Sequence, residues 1–299
     1  MASTLPGRVA VFLLGIALGV GSAQARTTPR THKRHPLPRH GTPKAALRPN
    51  AAPRHLLLQS ASVLVQDQQS GQILVEKAPD VTLSIASITK LMTVMVVLDA
   101  QQNPNDVLSI VHADLDAIRH SRSRLPLGTC LTRSEALKLA LMASENRAAN
   151  ALGHAYPGGM GACVAAMNAK ARALGLGHTR YVDPAGLGEG NVSSARDLAQ
   201  LLKTAYSYPA IRDYSTHPEE DLRSGTRNLH FVNTSRLVRG GRWEIGLSKT
   251  GFIDESGHCL VMQAKLASRS VFIVILKGQG KLTHFGDANR IRTWLEAKA

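Results

Sequence analysis

Strand-like runs stand near both ends of this 299-residue chain and helix-like runs lie between them, and that arrangement constrains its fold most. Ala61–Gln66 and Gln72–Glu76 read as two strands joined by Asp67-Gln-Gln-Ser-Gly71, a hairpin turn closed by glycine. Far along the chain, Trp243–Thr250, Cys259–Ala267 and Ser270–Leu276 read as three more. Strand backbones must pair their donors and acceptors, so the two groups have to meet in one sheet. Short connections make that sheet mainly antiparallel. The middle is helical by spacing and caps. Apolar periodicity runs from Ile88 to Leu98. Thr132-Arg-Ser-Glu135 is a capping box opening a helix to about Ala143, and Ser194-Ala-Arg-Asp197 a second, opening a helix to about Tyr206. Gly158-Gly159 introduces a helix near 160–173, stopped at Gly175, and Asp287–Ala297 reads as a final amphipathic helix. No internal repeat interrupts this order. The expected class is α/β (α+β).

Charge divides the chain unevenly. The formal net charge is +15, but the first acidic residue is Asp67, and nine Lys/Arg precede it. Residues 67–299 hold 27 basic and 21 acidic side chains, which argues against a uniformly basic nucleic-acid-binding face. With 43% hydrophobic residues most of the chain can bury a core.

The basic N-terminal stretch has two parts. Arg8, the apolar run 9–21 and Ala23-Gln24-Ala25 have the form of a cleavable secretory signal over 1–25. The run is too short for the roughly 20 helical residues that span a bilayer. No cysteine near the cleavage point marks a lipid anchor, and an uncleaved membrane anchor is the alternative. Residues 26–55 hold eight Lys/Arg, four His, six Pro and no acid, the composition of an extended disordered tether. His32, His35, His40 and His55 fit no compact metal-ligand spacing. The tail is expected to contact anionic wall or membrane surfaces, in a salt-sensitive way. Residues 56–299 then form the folded domain. An exported chain meets an oxidising compartment, which permits one disulfide among Cys130, Cys163 and Cys259. The expected pair is Cys130 with Cys163, both beside predicted helix ends; three buried, inert thiols is the other reading.

Three short motifs carry chemistry. Ser87-Ile-Thr-Lys90 opens the 88–98 helix, so its serine and lysine share a face one turn apart. A lysine among Ile88, Leu91 and Met92 loses solvation, which favours the neutral amine that can take a serine proton. Ser144-Glu-Asn146 follows the helix that starts near 132. Its hydroxyl can relay a proton, and its amide offers both donor and acceptor. Lys249-Thr-Gly251 ends a strand, where a cation and a hydroxyl can hold a carboxylate and glycine permits close backbone approach. Each motif alone reads more readily as a helix cap or a strand-to-turn ending. Together, in the order S-x-x-K, S-x-N, K-T-G, they form the set of serine β-lactamases and penicillin-binding proteins, with Glu145 in the place of the Asp of S-D-N.

On these motifs, and on Leu139–Ala149, Tyr156–Gly159 and Tyr181–Leu187 (YVDPAGL), the chain resembles the serine-type D-alanyl-D-alanine peptidases, the low-molecular-mass penicillin-binding proteins. It is most similar to their D-Ala-D-Ala endopeptidase branch, the penicillin-binding-protein-seven type. The resemblance covers about 60–299. It implies a β-lactamase/transpeptidase-like fold, with a mainly antiparallel sheet of about five strands and helices on both faces. The C-terminal β-domain and amphipathic anchor of many relatives are expected to be missing. It further implies Ser87 as nucleophile, Lys90 as base and Ser144 as proton relay. Asn146 would position the peptide, Lys249, Thr250 and Gly251 the substrate carboxylate and strand. The backbone N–H groups of Ser87 and Phe252 would form an oxyanion hole. No metal or organic cofactor is expected. The implied partners are peptidoglycan peptides, with β-lactams as acylating inhibitors and no nucleic acid, and the implied location is periplasmic. Three alternatives remain open: a carboxypeptidase trimming pentapeptides, a class A-like β-lactamase with Glu189 as its deacylating acid, and an inactive wall-binding module. Glu189 and Asn191 are expected in a surface loop.

Overall fold

The computed structural model describes residues 56–298 apart from Ala267. The expected signal at 1–25 and tail at 26–55 lie outside these residues. The first hairpin forms as read, from β1 (Ser62–Asp67) and β2 (Ile73–Lys77). Its turn is held by the Asp67 carboxylate, which accepts from the Gln69 and Ser70 N–H groups, and by Gly71 at φ +73°. The late strands are β3 (Glu244–Ile253), β4 (Gly257–Leu266) and β5 (Arg269–Gly278). They join the hairpin in one five-stranded sheet of order β2-β1-β5-β4-β3, with every neighbouring pair antiparallel. Val65 faces Ile273 in this register, so residues some two hundred apart close the sheet.

Both faces of the sheet are covered, and strand alternation sorts the side chains. Val63, Val65, Leu260, Met262, Ile273 and Ile275 pack with Ala288 and Ile291 of α8 (Thr283–Glu296). Leu64, Val261, Phe272, Val274 and Leu276 face the opposite way into the larger core. That core holds α1 (Lys90–Asp99), α2 (Arg133–Met142), α3 (Asn146–His154), α4 (Gly159–Ala173), α5 (Ala195–Tyr206) and α6 (Pro209–Thr216). α1 is buried from Lys90 to Val97, as suits a helix apolar all round. A short α7 (Arg236–Arg239) precedes β3.

The structure meets one local expectation in full and departs from others. The Thr132–Glu135 capping box closes in both directions. The Ser194–Asp197 box is only half made: Ser194 Oγ accepts from the Asp197 N–H, while the Asp197 carboxylate turns to His178 N and Thr179 Oγ1. α3, α6 and an antiparallel hairpin, Glu219–Ser224 with Arg227–Val232, add elements beyond the sequence reading. The disulfide expectation is overturned, since all three cysteines are free. Cys130 is exposed on a short strand, with Sγ 3.4 Å from Ser109 Oγ, whereas Cys163 faces the core from α4. Asn191 is buried, not in an exposed loop: its amide donates to the Asp183 carboxylate and its Oδ1 accepts from Val182 N. Among the described residues no helix is long and apolar enough to cross a membrane.

Candidate active site

Ser87 sits in a 3-10 turn, Ala86–Thr89, that leads directly into α1. Ala86 holds φ +47° and Ser144 φ +57°, left-handed backbone that costs a non-glycine residue about 1 kcal/mol or more. Both serines are thus set by strained turns. Neither acts as a helix cap: the turn carrying Ser87 has no side-chain cap, and Glu145 caps α3.

Lys90 is fully buried. Its Nζ lies 2.8 Å from Ser87 Oγ, 2.7 Å from Asn146 Oδ1 and 2.6 Å from the Ala185 carbonyl oxygen. Three acceptors around one amine satisfy it completely. Burial nevertheless pulls its pKa down to about 7, against the opposing pull of the carboxylates of Asp183, Glu145 and Asp116. Lys249, on β3, is buried as well, and Nζ donates to Ser144 Oγ at 2.7 Å and to the Thr250 carbonyl at 3.0 Å. Its pKa is held well below the ordinary lysine value, by burial first and by the charge of Lys90 second. Thr250 Oγ1 donates to Thr234 Oγ1 at 2.6 Å.

The structure therefore brings all eight candidate residues to one place. Gly251 lies against the serine turn: a Cβ there would meet the Ile85 carbonyl oxygen at 2.8 Å and Ser87 N at 3.2 Å. Only glycine lets β3 approach this closely. Phe252 follows it with its ring more than half exposed. Glu189 is exposed. Among the described residues no carboxylate hydrogen-bonds to Ser87, Lys90 or Ser144, and no group of three or more acidic, His or Cys side chains could hold a metal.

Several site residues had no reading of their own in the sequence. The loop 183–188 supplies the Ala185 carbonyl, and Asp183 holds that loop by accepting from the N–H groups of Ala185, Gly186, Leu187 and Gly188. In the sequence the YVDPAGL stretch carries only the family likeness; its Asp-Pro-x-Gly turn chemistry is the signal that points there. Ser121 accepts from Asn146 Nδ2 at 2.9 Å, and Asp116 organises its loop through the N–H groups of Ile118, Arg119 and Ser121. Arg119 ties that loop to the β3–β4 turn through Glu255 at 2.6 Å.

Comparison with known proteins agrees with this geometry. Residues 49–280 match the family described as D-alanyl-D-alanine carboxypeptidase, peptidase S11. The chain is 48% identical over 256 residues to the D-alanyl-D-alanine endopeptidase of Pseudomonas aeruginosa, covering 85% of this chain and 81% of that one. It is 44% identical over 239 residues to the D-alanyl-D-alanine endopeptidase of Escherichia coli K12, covering 79% and 77%. Among solved structures, the Streptomyces K15 DD-transpeptidase shares the fold with a TM-score of 0.75 at 24% identity, over 81% of this chain and 98% of that one. A D-alanyl-D-alanine carboxypeptidase from Mycobacterium tuberculosis superposes with a TM-score of 0.73 at 27% identity, over 83% and 96%.

Proposed function

The chain belongs to the D-alanyl-D-alanine carboxypeptidase family of serine peptidases, and on that footing we propose that it is an exported D,D-endopeptidase that opens D-Ala-linked cross-links in peptidoglycan. The observation that carries this is the buried Lys90 amine held between Ser87 Oγ, Asn146 Oδ1 and Ala185 O, with a pKa near 7. In its neutral form the amine keeps two N–H bonds for Asn146 and Ala185 and turns its lone pair on the Ser87 hydroxyl.

Lys90 takes the Ser87 proton as Oγ attacks the carbonyl carbon of the D-Ala peptide bond. The developing oxyanion is received by the N–H groups of Ser87 and Phe252, a contribution of about 3 kcal/mol per donor. The close pass of Gly251 over Ser87 favours that pairing. The proton returns through Ser144 to the departing amine, and the C–N bond breaks. Asn146 orients the acyl peptide, and Lys249 and Thr250 hold the carboxylate on the leaving side. Water then adds to the acyl-Ser87 ester and releases the peptide. No step calls for a metal or organic cofactor. A β-lactam, whose strained amide resembles the same bond, would acylate Ser87. Among the described residues no carboxylate hydrogen-bonds to Ser87, Lys90 or Ser144, which favours a slow-deacylating peptidase over a β-lactamase, since class A enzymes use such an acid for deacylation.

Intact mass after incubation with penicillin tests the reading. A stable one-drug adduct, absent in Ser87→Ala, is expected. No adduct points to an inactive wall-binding module, and rapid drug turnover to a β-lactamase; either sinks it. Digestion of cross-linked wall separates loss of dimers, as expected, from shortening of pentapeptides, the carboxypeptidase outcome.

A further inference from the structure

The cleft does not end at Thr250. Beyond it lies a cavity bounded by Thr234, Thr250, Phe252 and His258. It shares Arg236, Leu282 and Phe285 with a second cavity of about 470 Å³ that runs to Arg242, Trp243 and Arg292. The two form one groove between α7 and the start of α8, leading away from the K-T-G strand.

The walls of this groove have a definite chemistry. Phe252, His258 and His284 stack in sequence and Phe285 tilts against His284, with ring centroids 4.3, 5.3 and 3.9 Å apart. Burial keeps His284 neutral, its pKa pulled down to about 4, so this wall is aromatic rather than charged. Phe252 and Leu282 are each more than half exposed along it. The remaining lining is cationic. Arg236, Arg242 and Lys281 make no ion pair among the described residues, while Arg292 pairs with Glu296 at 2.7 Å and lies 5.1 Å over the Trp243 ring. Among the described residues no carboxylate lines either cavity.

Such a groove fits an extended peptide with apolar backbone stretches and free carboxylates. Its position says which peptide. In the proposed reaction Lys249 and Thr250 hold the carboxylate on the leaving side, so the groove continues past the leaving group. A free D-Ala ends at Thr250. In a cross-link, the leaving amine belongs to a second stem peptide that carries its own carboxylates. We propose that this groove binds that second strand, with Arg236 and Arg242 taking its carboxylates and Phe252, Leu282 and Phe285 its apolar parts. The inference rests on the D,D-peptidase reading above and adds to it the origin of the preference for cross-links.

The test compares kcat/KM for a cross-linked muropeptide dimer with the rate of penicillin acylation, on the full chain. In the Arg236→Ala/Arg242→Ala double variant the ratio of the two is expected to fall tenfold or more, chiefly through KM, and to lose much of its salt dependence. Arg236→Lys with Arg242→Lys should recover most of the loss, which separates charge from folding. Arg172→Ala, on α4 away from the groove, should leave the ratio as it is. An unchanged ratio in the double variant overturns the proposal. So does a double variant that cleaves dimers normally but loses binding to vesicles of anionic phospholipid, which would assign the groove to a membrane surface. If the wild-type protein forms no penicillin adduct, the peptidase reading itself has failed, whatever the ratio.

Discussion

Lys249 Nζ donates to the Ser144 hydroxyl at 2.7 Å across 105 residues of chain, tying the K-T-G strand to the turn before α3. The Lys249 pKa lies well below the ordinary lysine value, through burial first and the charge of Lys90 second. Lys90→Gln should therefore let Lys249 keep its proton to higher pH. The expected outcome is a Lys249 amine titration, followed by NMR of isotope-labelled lysines, whose midpoint moves upward relative to wild type. A midpoint that stays or drops would show that the two amines are electrostatically independent.

On the proposed mechanism Lys90 itself sets the wild-type profile. Burial lowers its pKa from an ordinary value of 10.5 to about 7, so the neutral, proton-accepting form grows in as pH rises through 7. Acylation measured from pH 5 to 9 should rise and level off above that midpoint. Lys90→Arg, whose guanidinium stays charged, should slow it by about 10²- to 10⁴-fold at every pH. Linkage gives a second reading with the same sign. Between pH 7 and 10.5 the unfolded chain binds more protons than the folded one, so this group's contribution to stability rises with pH across that window. A rate flat from pH 5 to 9 would remove Lys90 as the base.

The N-terminal charge is expected to be separable from the catalysis. Residues 26–55 carry eight Lys/Arg and no acid. Deleting them behind an intact signal should weaken retention on anionic wall or membrane, most visibly at low salt, and leave acylation of Ser87 at the wild-type rate. Loss of acylation in the deletion would make this stretch part of the fold.

Seven of the site residues were legible because each motif is local. Ser87 and Lys90 need only one helical turn between them, and Lys249 and Thr250 only adjacent places on a strand. The single five-stranded sheet was legible for a similar reason, since five strand-like runs at two ends of a chain have few ways to pair. The groups around them were not. Ala185 contributes a backbone carbonyl, which leaves no mark on residue identity, and Ser121 and Thr234 matter only through neighbours brought close by folding. α3 was missed because its start, Asn146, doubles as a site residue. The hairpin at 219–232 was missed because its outward charges hide the strand alternation, although Ser224-Gly225 marks its turn. The cysteine pairing failed because nearness to helix ends says nothing about which way each Cβ points.

The cysteines yield a direct count. Cys163 and Cys259 are buried, which pushes both thiols up to about 11, while Cys130 is exposed. A chromogenic disulfide reagent at pH 8 should titrate one thiol in the native protein and three after unfolding in guanidinium without reductant. One thiol after unfolding would mean that a disulfide exists.

Gly186 provides the sharpest link between backbone geometry and the nucleophile. It holds φ +78°, in the loop that Asp183 anchors, directly over the serine turn. A Cβ added there would collide with the Ala86 carbonyl oxygen and come within 2.9 Å of Ser87 N. Neither of those atoms can give way as a flexible side chain could, and the left-handed φ adds its own penalty. Gly186→Ala should cost about 2 kcal/mol or more in denaturant unfolding. Because one of the displaced atoms, Ser87 N, is the proposed oxyanion donor and belongs to the same residue as the proposed nucleophile, acylation should also slow at least tenfold in the fraction that remains folded. Gly177→Ala is the matched control: its φ is ordinary and nothing lies within 4 Å of the added carbon. It should change stability by only a few tenths of a kcal/mol and leave acylation untouched. Equal behaviour of the two variants would mean that the serine turn does not depend on the 183–188 loop for its position.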